Sequence, residues 1–542
     1  MTFDVEGLCP VTVQASLWRA AALAPDVEAL VAPDGRLTFA MLLTEVGKVR
    51  AALAAAGVKR GDHVGLCLGN SVAFETLFLA LGSLGAVAVP VNTRLKADEI
   101  AYVLRQSRVT TLFTADTLLN ADFIAILRQI APGIDSVLPD QALPALGEII
   151  VNGSNIPAGC RSWFDFLNAA ADDPGPAAEA DDTLLIQFTS GTTALPKGVM
   201  LTHRNMLGNG FVSGQRIGLR TADRFHSSRP FFHVAGTTLS ILACLQNLAT
   251  LVTMTRFEAG EALRLLEAER CTHFSGNDTM ALMLLNHPDR SKRELSLRGG
   301  WVAGSQTVLG RFARELGARE VVSGYGLSEA SPNIAQSCWW EPETVRTGGL
   351  MLPQPGLEIR IVDAASGKDC GPGEIGEIRV RGWTVMKGYF DMAEKTAETM
   401  SPDGWLLTGD LGRMNEEGRL EFVGRLKNIV RVGGENVSPE EVEDRLHQHP
   451  AIKQAQVVGV PDQRLTEVCA AFVILNEGCA LDADSLIAWA QQHMAGFKVP
   501  RYVWIVDDFE MIGMTASSKV QKSHLAAHAR KLLGSVAEAS GG

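Results

Sequence analysis

Tyrosine is scarce, with four in 542 residues, and charged side chains make up 20%, below the roughly 25% usual in soluble proteins. Basic residues are in deficit. Lysine plus arginine total 49 against 61 aspartate plus glutamate, a formal net charge of −12, which excludes wrapping nucleic acid or lying on an anionic membrane through the surface as a whole. Any polyanionic partner must be met by a local basic site. The nine cysteines are odd in number and form no C-x-x-C pair, which excludes a zinc ribbon, argues against a disulfide framework and points to a reducing, cytoplasmic setting. The N-terminus, MTFDVEGLCP, lacks the basic start and unbroken apolar stretch of a signal peptide, so no export is expected. Long hydrophobic runs are missing too. From Phe231 to Thr255 there is no Asp, Glu, Lys or Arg, but His233, Gly236, Thr237, Gln246 and Asn247 interrupt the run. The stretch reads as a buried helix followed by the strand ATLVTM, without the transmembrane character that about 20 apolar residues would give.

What is present is a hydrophobic content of 46% in a chain long enough for three or four domains of roughly 100 to 200 residues. From Val11 to about Leu167, helical stretches such as FAMLLTEVGKVRAALAAAG alternate with apolar runs such as HVGLCLG and AVAVPV, the pattern of a layered α/β unit with parallel strands. ADDPGPAAEADD (171–182) reads as a surface connector, after which a second α/β unit is expected to begin at Thr183. Between Leu357 and Val423 the pattern turns to period-two alternation, LEIRIVD, GEIRVRG and GRLEFVG, which predicts antiparallel strands in a small β-barrel-like unit. Ser438-Pro439-Glu440-Glu441 then offers an N-cap, a first-turn proline and a capping-box glutamate, opening a smaller α+β module. The expected division is an N-terminal body, 1–426, and a mobile C-terminal domain, 427–542.

Two loops carry chemistry. Thr189-Ser190-Gly191-Thr192-Thr193-Ala194-Leu195-Pro196-Lys197-Gly198 follows the apolar strand TLLIQF. Small hydroxyl residues, glycine N–H groups and one lysine suit a loop that surrounds phosphate oxygens, though a Ser/Thr-rich turn with an exposed lysine has the same composition. It is not a Walker A loop, since Pro196-Lys197-Gly198 stands where Gly-Lys-Ser/Thr is required. In VVSGYGLSEAS (321–331), Glu329 replaces the third glycine of a dinucleotide fingerprint, and a carboxylate beside a phosphate site fits a ligand of Mg²⁺ better.

VPVNTRL (89–95), TSGTTALPKGV (189–199), FFHVAG (231–236), YGLSEAS (325–331), WLLTGDLG (405–412), GRLKNIVRVGGENVSPEEVE (424–443) and TASSKVQK (515–522) together resemble the successive motifs of the adenylate-forming superfamily. The similarity runs almost end to end and is best to acyl-CoA synthetases of the fatty-acid–CoA ligase type. It implies an ATP- and Mg²⁺-dependent enzyme that turns a carboxylic acid and coenzyme A into acyl-CoA, AMP and diphosphate through an acyl-adenylate.

By the same resemblance Thr189, Ser190, Gly191, Thr192, Thr193 and Lys197 hold the ATP phosphates, and Tyr325 with Gly324 and Gly326 lies against adenine. Ser305 joins this ATP-binding set, Ser328 meets the α-phosphate and Glu329 coordinates Mg²⁺. Asp410 bonds the ribose hydroxyls and Arg425 assists ribose or phosphate. Lys519 is the catalytic lysine of adenylation, Lys427 the hinge, and Gly433 and Gly434 the strip that lies against CoA. His233, a core histidine if viewed alone, borders an acyl pocket formed with Phe232, Val234, Thr237, Ser305 and Gly324. Ala194, Ser328, Asn428 and Ser518 depart from the commoner pattern, and Ser518 restricts the loop that carries Lys519.

FFHVAGTTLS offers no carboxylate to pair with a substrate ammonium, so an uncharged medium-chain, alicyclic or aromatic acid is expected. After Lys522 only a short tail follows, so no carrier domain is expected. Partners are then small molecules, with no nucleic acid, and a homodimer is compatible with this reading. Two alternatives stay open: a stand-alone adenylating enzyme serving a carrier protein, and a non-catalytic nucleotide-binding relative.

Overall fold

The short apolar runs of the first third become parallel strands. His63–Cys67, Val87–Pro90, Thr111–Ala115 and Glu148–Asn152 pair in register and are almost wholly buried, as a sheet covered by helices on both faces requires. The helix Val72–Leu84 is buried over nearly its whole length; Ser71 caps its start by accepting from Phe74 N–H, and Gly85 ends it at φ 81°, a conformation that favours glycine. The computed structural model describes residues 4–169, 172–189, 196–433, 435–462, 464–510, 512–514 and 520–540. Of the residues singled out above, Ser190, Gly191, Thr192, Thr193, Ala194, Gly434, Ser518 and Lys519 lie outside these.

The boundary expected at Thr183 is corrected. Thr183–Thr189 runs parallel to Val87–Pro90 and antiparallel to Lys197–Thr202, and Gly388–Tyr389 closes that edge, so these segments complete the first, eight-stranded sheet. The apolar TLLIQF needs burial between neighbours, and the first sheet supplies them. The second, seven-stranded sheet is built from Arg224–Ser227, Thr250–Val252, His273–Asn277, Gly299–Ala303 and Glu320–Val322 in parallel, joined at one edge by Glu28–Ala32 and Gly35–Thr38 from near the N-terminus. The two α/β units are therefore interleaved in sequence.

Period-two alternation gives Glu358–Val362, Gly376–Arg381, Leu406–Met414 and Leu420–Arg425, a four-stranded antiparallel sheet in the place of the β-barrel-like unit. Beyond it, Val430–Val432, Glu435–Val437, Ile452–Asp462, Thr466–Leu475 and Tyr502–Ile505 form another sheet with its own apolar core on each face. The helix Pro439–Leu446 begins with proline as expected, but the capping box does not form. The Ser438 hydroxyl instead donates to the Val423 carbonyl at 2.7 Å and Glu440 at 3.0 Å, tying this helix back to the four-stranded sheet.

The charge-poor stretch is helical from Val234 to Asn247, with wider i→i+5 turns over Thr237–Leu242, and continues into the strand Thr250–Val252. Among the described residues no helix is long and apolar enough to cross a membrane. His447, just past the helix Pro439–Leu446, is half-buried and accepts from Ala455 N–H at 3.1 Å.

Candidate active site

Thr189 and Lys197, on either side of the loop, face each other across the antiparallel pair Thr183–Thr189 and Lys197–Thr202. The Pro196 carbonyl accepts from the Tyr102 hydroxyl at 3.0 Å, fixing the end of the loop. Because Tyr389 sits opposite Val199, its ring comes under the lysine, with Lys197 Nζ 4.2 Å from the ring centroid. The Tyr389 hydroxyl donates to Glu329 Oε1 at 2.9 Å, and Met386 N–H donates to the Glu329 carbonyl at 2.9 Å. Burial, then Glu329, pushes the Tyr389 phenol up, so it stays a donor. One aromatic ring thus joins the lysine of the hairpin to the carboxylate of YGLSEAS.

The Tyr325 cluster is built across two sheets. Tyr325, in the short strand Gly324–Gly326, stacks on Phe422 with centroids 5.3 Å apart and donates to Asp410 Oδ2 at 2.9 Å. Asp410 and Arg425 are register partners, and Arg425 Nε lies 3.1 Å from Asp410 Oδ1. Burial, then the Asp410 charge, pushes the Tyr325 phenol well up. Gly326 permits the tight strand here: a Cβ would lie 1.9 Å from the Pro332 carbonyl oxygen. Lys427 joins the same face. Burial first, then the cations of Arg425 and Lys197, hold its ammonium below the ordinary lysine value.

The FFHVAG segment is fastened beside the hairpin by Gln187 Nε2, which donates to the Phe232 carbonyl at 3.1 Å. His233 Nδ1 accepts from Ala235 N–H at 3.1 Å. Val234 and Thr237 are buried. Ser305 caps the helix Gln306–Glu315, and its own N–H donates to Asp278 Oδ1 at 3.0 Å. Ser228, Asp278, Ser305 and Gly324 all follow the carboxyl ends of parallel strands of the second sheet, the edge where open α/β sheets bind ligands. Gly433, at φ 59°, lies elsewhere, on the rim of a cleft of about 560 Å³ lined by Val432, Leu465, Phe497 and Arg501.

The family described as AMP-binding enzyme matches residues 17–390, and its C-terminal domain matches residues 441–519. The chain belongs to the AMP-binding enzyme family. It is an AMP-forming acid–thiol ligase. A 3-[(3aS,4S,7aS)-7a-methyl-1,5-dioxo-octahydro-1H-inden-4-yl]propanoyl:CoA ligase of Mycobacterium tuberculosis is 37% identical over 525 residues, 95% of this chain and 98% of that protein. A mitochondrial medium-chain acyl-CoA ligase of Danio rerio is 33% identical over 534 residues, 94% and 87% of the two chains. The crystal structure of an anthranilate CoA ligase with anthranoyl-AMP superposes with a TM-score of 0.86 at 27% identity, covering 97% of this chain and 99% of that one.

In this AMP-binding enzyme three side chains at the site escaped the sequence reading. Tyr389 and Trp301 are brought in by strand pairing with Val199 and Ser275, and Phe422 by its stack on Tyr325, and no local spacing marks them. The scarcity of tyrosine was the one available signal: two of four, Tyr325 and Tyr389, donate to carboxylates here.

Proposed function

We propose that this ligase activates a medium-chain or alicyclic carboxylic acid with ATP and transfers the acyl group to coenzyme A. The observation that carries the reading is the joining of Lys197 to Glu329 through Tyr389, next to the Tyr325–Asp410–Arg425 cluster. The acid is already ionised at neutral pH, so its attack on the α-phosphorus needs no general base. It needs orientation and positive charge. In the first step a carboxylate oxygen bonds to the α-phosphorus and the bond to diphosphate breaks. In the second, the CoA sulfur bonds to the acyl carbon, its proton passes to solvent and AMP leaves.

Lys197 binds the outer phosphates, Ser328 the α-phosphate, Asp410 and Arg425 the ribose, and Tyr325 with its glycines the adenine. Lys519 meets the α-phosphate and the reacting carboxylate. Glu329 would hold Mg²⁺, which supplies charge neutralisation at the phosphates. The donor set fits that ion: Glu329 is a half-buried carboxylate, and no group of three or more His, Cys, Asp or Glu forms a cage among the described residues, whereas Mg²⁺ is usually held by one or two carboxylates plus substrate phosphate. The nine cysteines are all free, which supports a cytoplasmic location.

The proposal includes a body, 1–426, and a C-terminal part, 427–542, that turns about Lys427 to exchange Lys519 for the Gly433–Gly434 strip between the two steps. Diphosphate release and CoA-ester formation with a panel of acids, with and without CoA, test the whole reading. Adenylate without CoA ester would replace CoA by a carrier protein, and no diphosphate with any acid would leave only nucleotide binding. Lys519→Ala should suppress adenylation far more than thioester formation from supplied acyl-adenylate. Lys427→Pro should keep adenylation and abolish thioester formation; parallel loss of both steps would remove the hinge.

A further inference from the structure

The segment that carries Phe232 and His233 starts with an arginine that the reaction, as described, does not use. Arg229 follows the strand Arg224–Ser227 at the carboxyl edge of the second sheet and is only 8% exposed. Its Nε donates to Ser275 Oγ at 2.9 Å and its Nη2 to the Gly276 carbonyl. The guanidinium carbon lies 4.2 Å from the centroid of the Trp301 ring. Among the described residues no carboxylate pairs with it and Nη1 has no hydrogen-bond partner, though that atom is not sealed from solvent. Trp301 Nε1 is sealed and likewise has no acceptor. Two N–H donors, one of them charged, thus stand side by side with no protein acceptor among the described residues.

Such an arrangement is costly if it serves packing alone. A buried cation without a counter-charge loses hydration that the ring face restores only in part, and an apolar side chain of similar volume would fill the space at lower cost. Burial lowers the Arg229 guanidinium to about 9, so it remains a cation at neutral pH. Its place is also that of a ligand contact. The Arg229 carbonyl accepts from Asn70 Nδ2 at 3.0 Å, and Phe231 N–H donates to Asn70 Oδ1 at 2.8 Å, which fixes the start of the FFHVAG segment. On the other side, a Cβ at Gly324 would lie 3.8 Å from Trp301 Cε3. The arginine–tryptophan pair therefore bridges the two walls assigned to the acyl pocket, Phe232–His233 and Gly324.

We propose that Arg229 and Trp301 form a receptor for an oxygen acceptor on the acyl substrate, remote from its reacting carboxylate, so that the enzyme prefers an acid bearing a ring ketone or second carboxylate to a plain hydrocarbon acid. This rests on the acyl-CoA synthetase reading and names the substrate class within it. Ketone and carboxylate offer the same chemistry to the two donors; the carboxylate would also neutralise the charge.

The test is CoA-dependent AMP formation with three acids on one skeleton: cyclohexanepropanoic acid, its ring ketone, and its ring carboxylic acid. The wild-type enzyme should favour an oxygenated member by about 10- to 100-fold in kcat/KM, carried mainly by KM. The better of the two identifies ketone or carboxylate as the group recognised. Arg229→Met should reduce that ratio at least tenfold, Arg229→Lys should restore part of it, and Trp301→Phe should lower it without loss of the aromatic face. A wild-type enzyme that prefers the hydrocarbon acid, or an Arg229→Met loss equal for all three acids, would overturn the proposal. The wild-type ranking decides even where a variant does not fold. Absence of diphosphate release with every acid would instead overturn the ligase reading, and this proposal with it.

Discussion

Tyr389 donates its phenol to Glu329 Oε1 at 2.9 Å while its ring lies 4.2 Å from Lys197 Nζ. The two contacts separate by substitution. Tyr389→Phe keeps the ring under the lysine and removes the hydrogen bond to the carboxylate, so diphosphate release should fall by about tenfold. Tyr389→Leu loses both contacts and should fall by a further several-fold, in line with about 0.5–2 kcal/mol for the cation over the ring. Equal rates for the two variants would mean that the ring face does not position Lys197.

Asp410 is held between Tyr325 and Arg425, so it meets its partners before nucleotide arrives. Asp410→Asn should raise KM for ATP by about 10- to 100-fold, with a smaller change in kcat. Tyr325→Phe should raise it less, because the stack on Phe422 is kept. Initial rates at varied ATP check both.

Lys522 Nζ stands 2.9 Å from both Glu440 and Glu443 and ties the last helix to the helix Pro439–Leu446. Lys522→Met leaves both carboxylates without their cation and should destabilise the C-terminal sheet by about 3–5 kcal/mol. Amide exchange should show faster opening in residues 430–540, with residues 28–425 little changed.

The Asp278 carboxyl is pushed up from 3.8 to about 7, first by burial and then by Glu443 and Asp444 on the facing helix, against the lowering effect of Ser305 N–H. A carboxyl raised on folding binds its proton more tightly in the folded state. Its contribution is therefore most favourable below about pH 4 and is lost as pH climbs through about 7. Asp278→Asn keeps an acceptor for Ser305 and does not titrate. Its stability, measured by denaturant unfolding, should fall less than wild type between pH 5 and 8, by a margin of about 2–3 kcal/mol.

The α/β alternation, the antiparallel strands near 357–425 and the C-terminal module are all legible in the chain, because burial on one or both faces imposes a period on the side chains. The Thr183 boundary was misplaced because a composition shift at 171–182 marks a surface crossing, whereas sheet membership depends on which strands Thr183–Thr189 and Lys197–Thr202 find as neighbours. Ser438 shows the same limit at one residue: its helix-start position is set locally, but its hydroxyl answers to the Val423 carbonyl across the division.

By itself the sequence determined the family and the order of its motifs, since small hydroxyls, glycines and single cations at fixed spacing are what a phosphate-binding loop demands. Only the tertiary structure decided that Tyr389 links Lys197 to Glu329, that Tyr325 and Arg425 converge on Asp410, and that Arg229 lies buried on Trp301 with no carboxylate partner among the described residues. Lys197 and Tyr389, Tyr325 and Asp410, and Arg229 and Trp301 come from segments far apart in the chain, and no local periodicity encodes which of them meet.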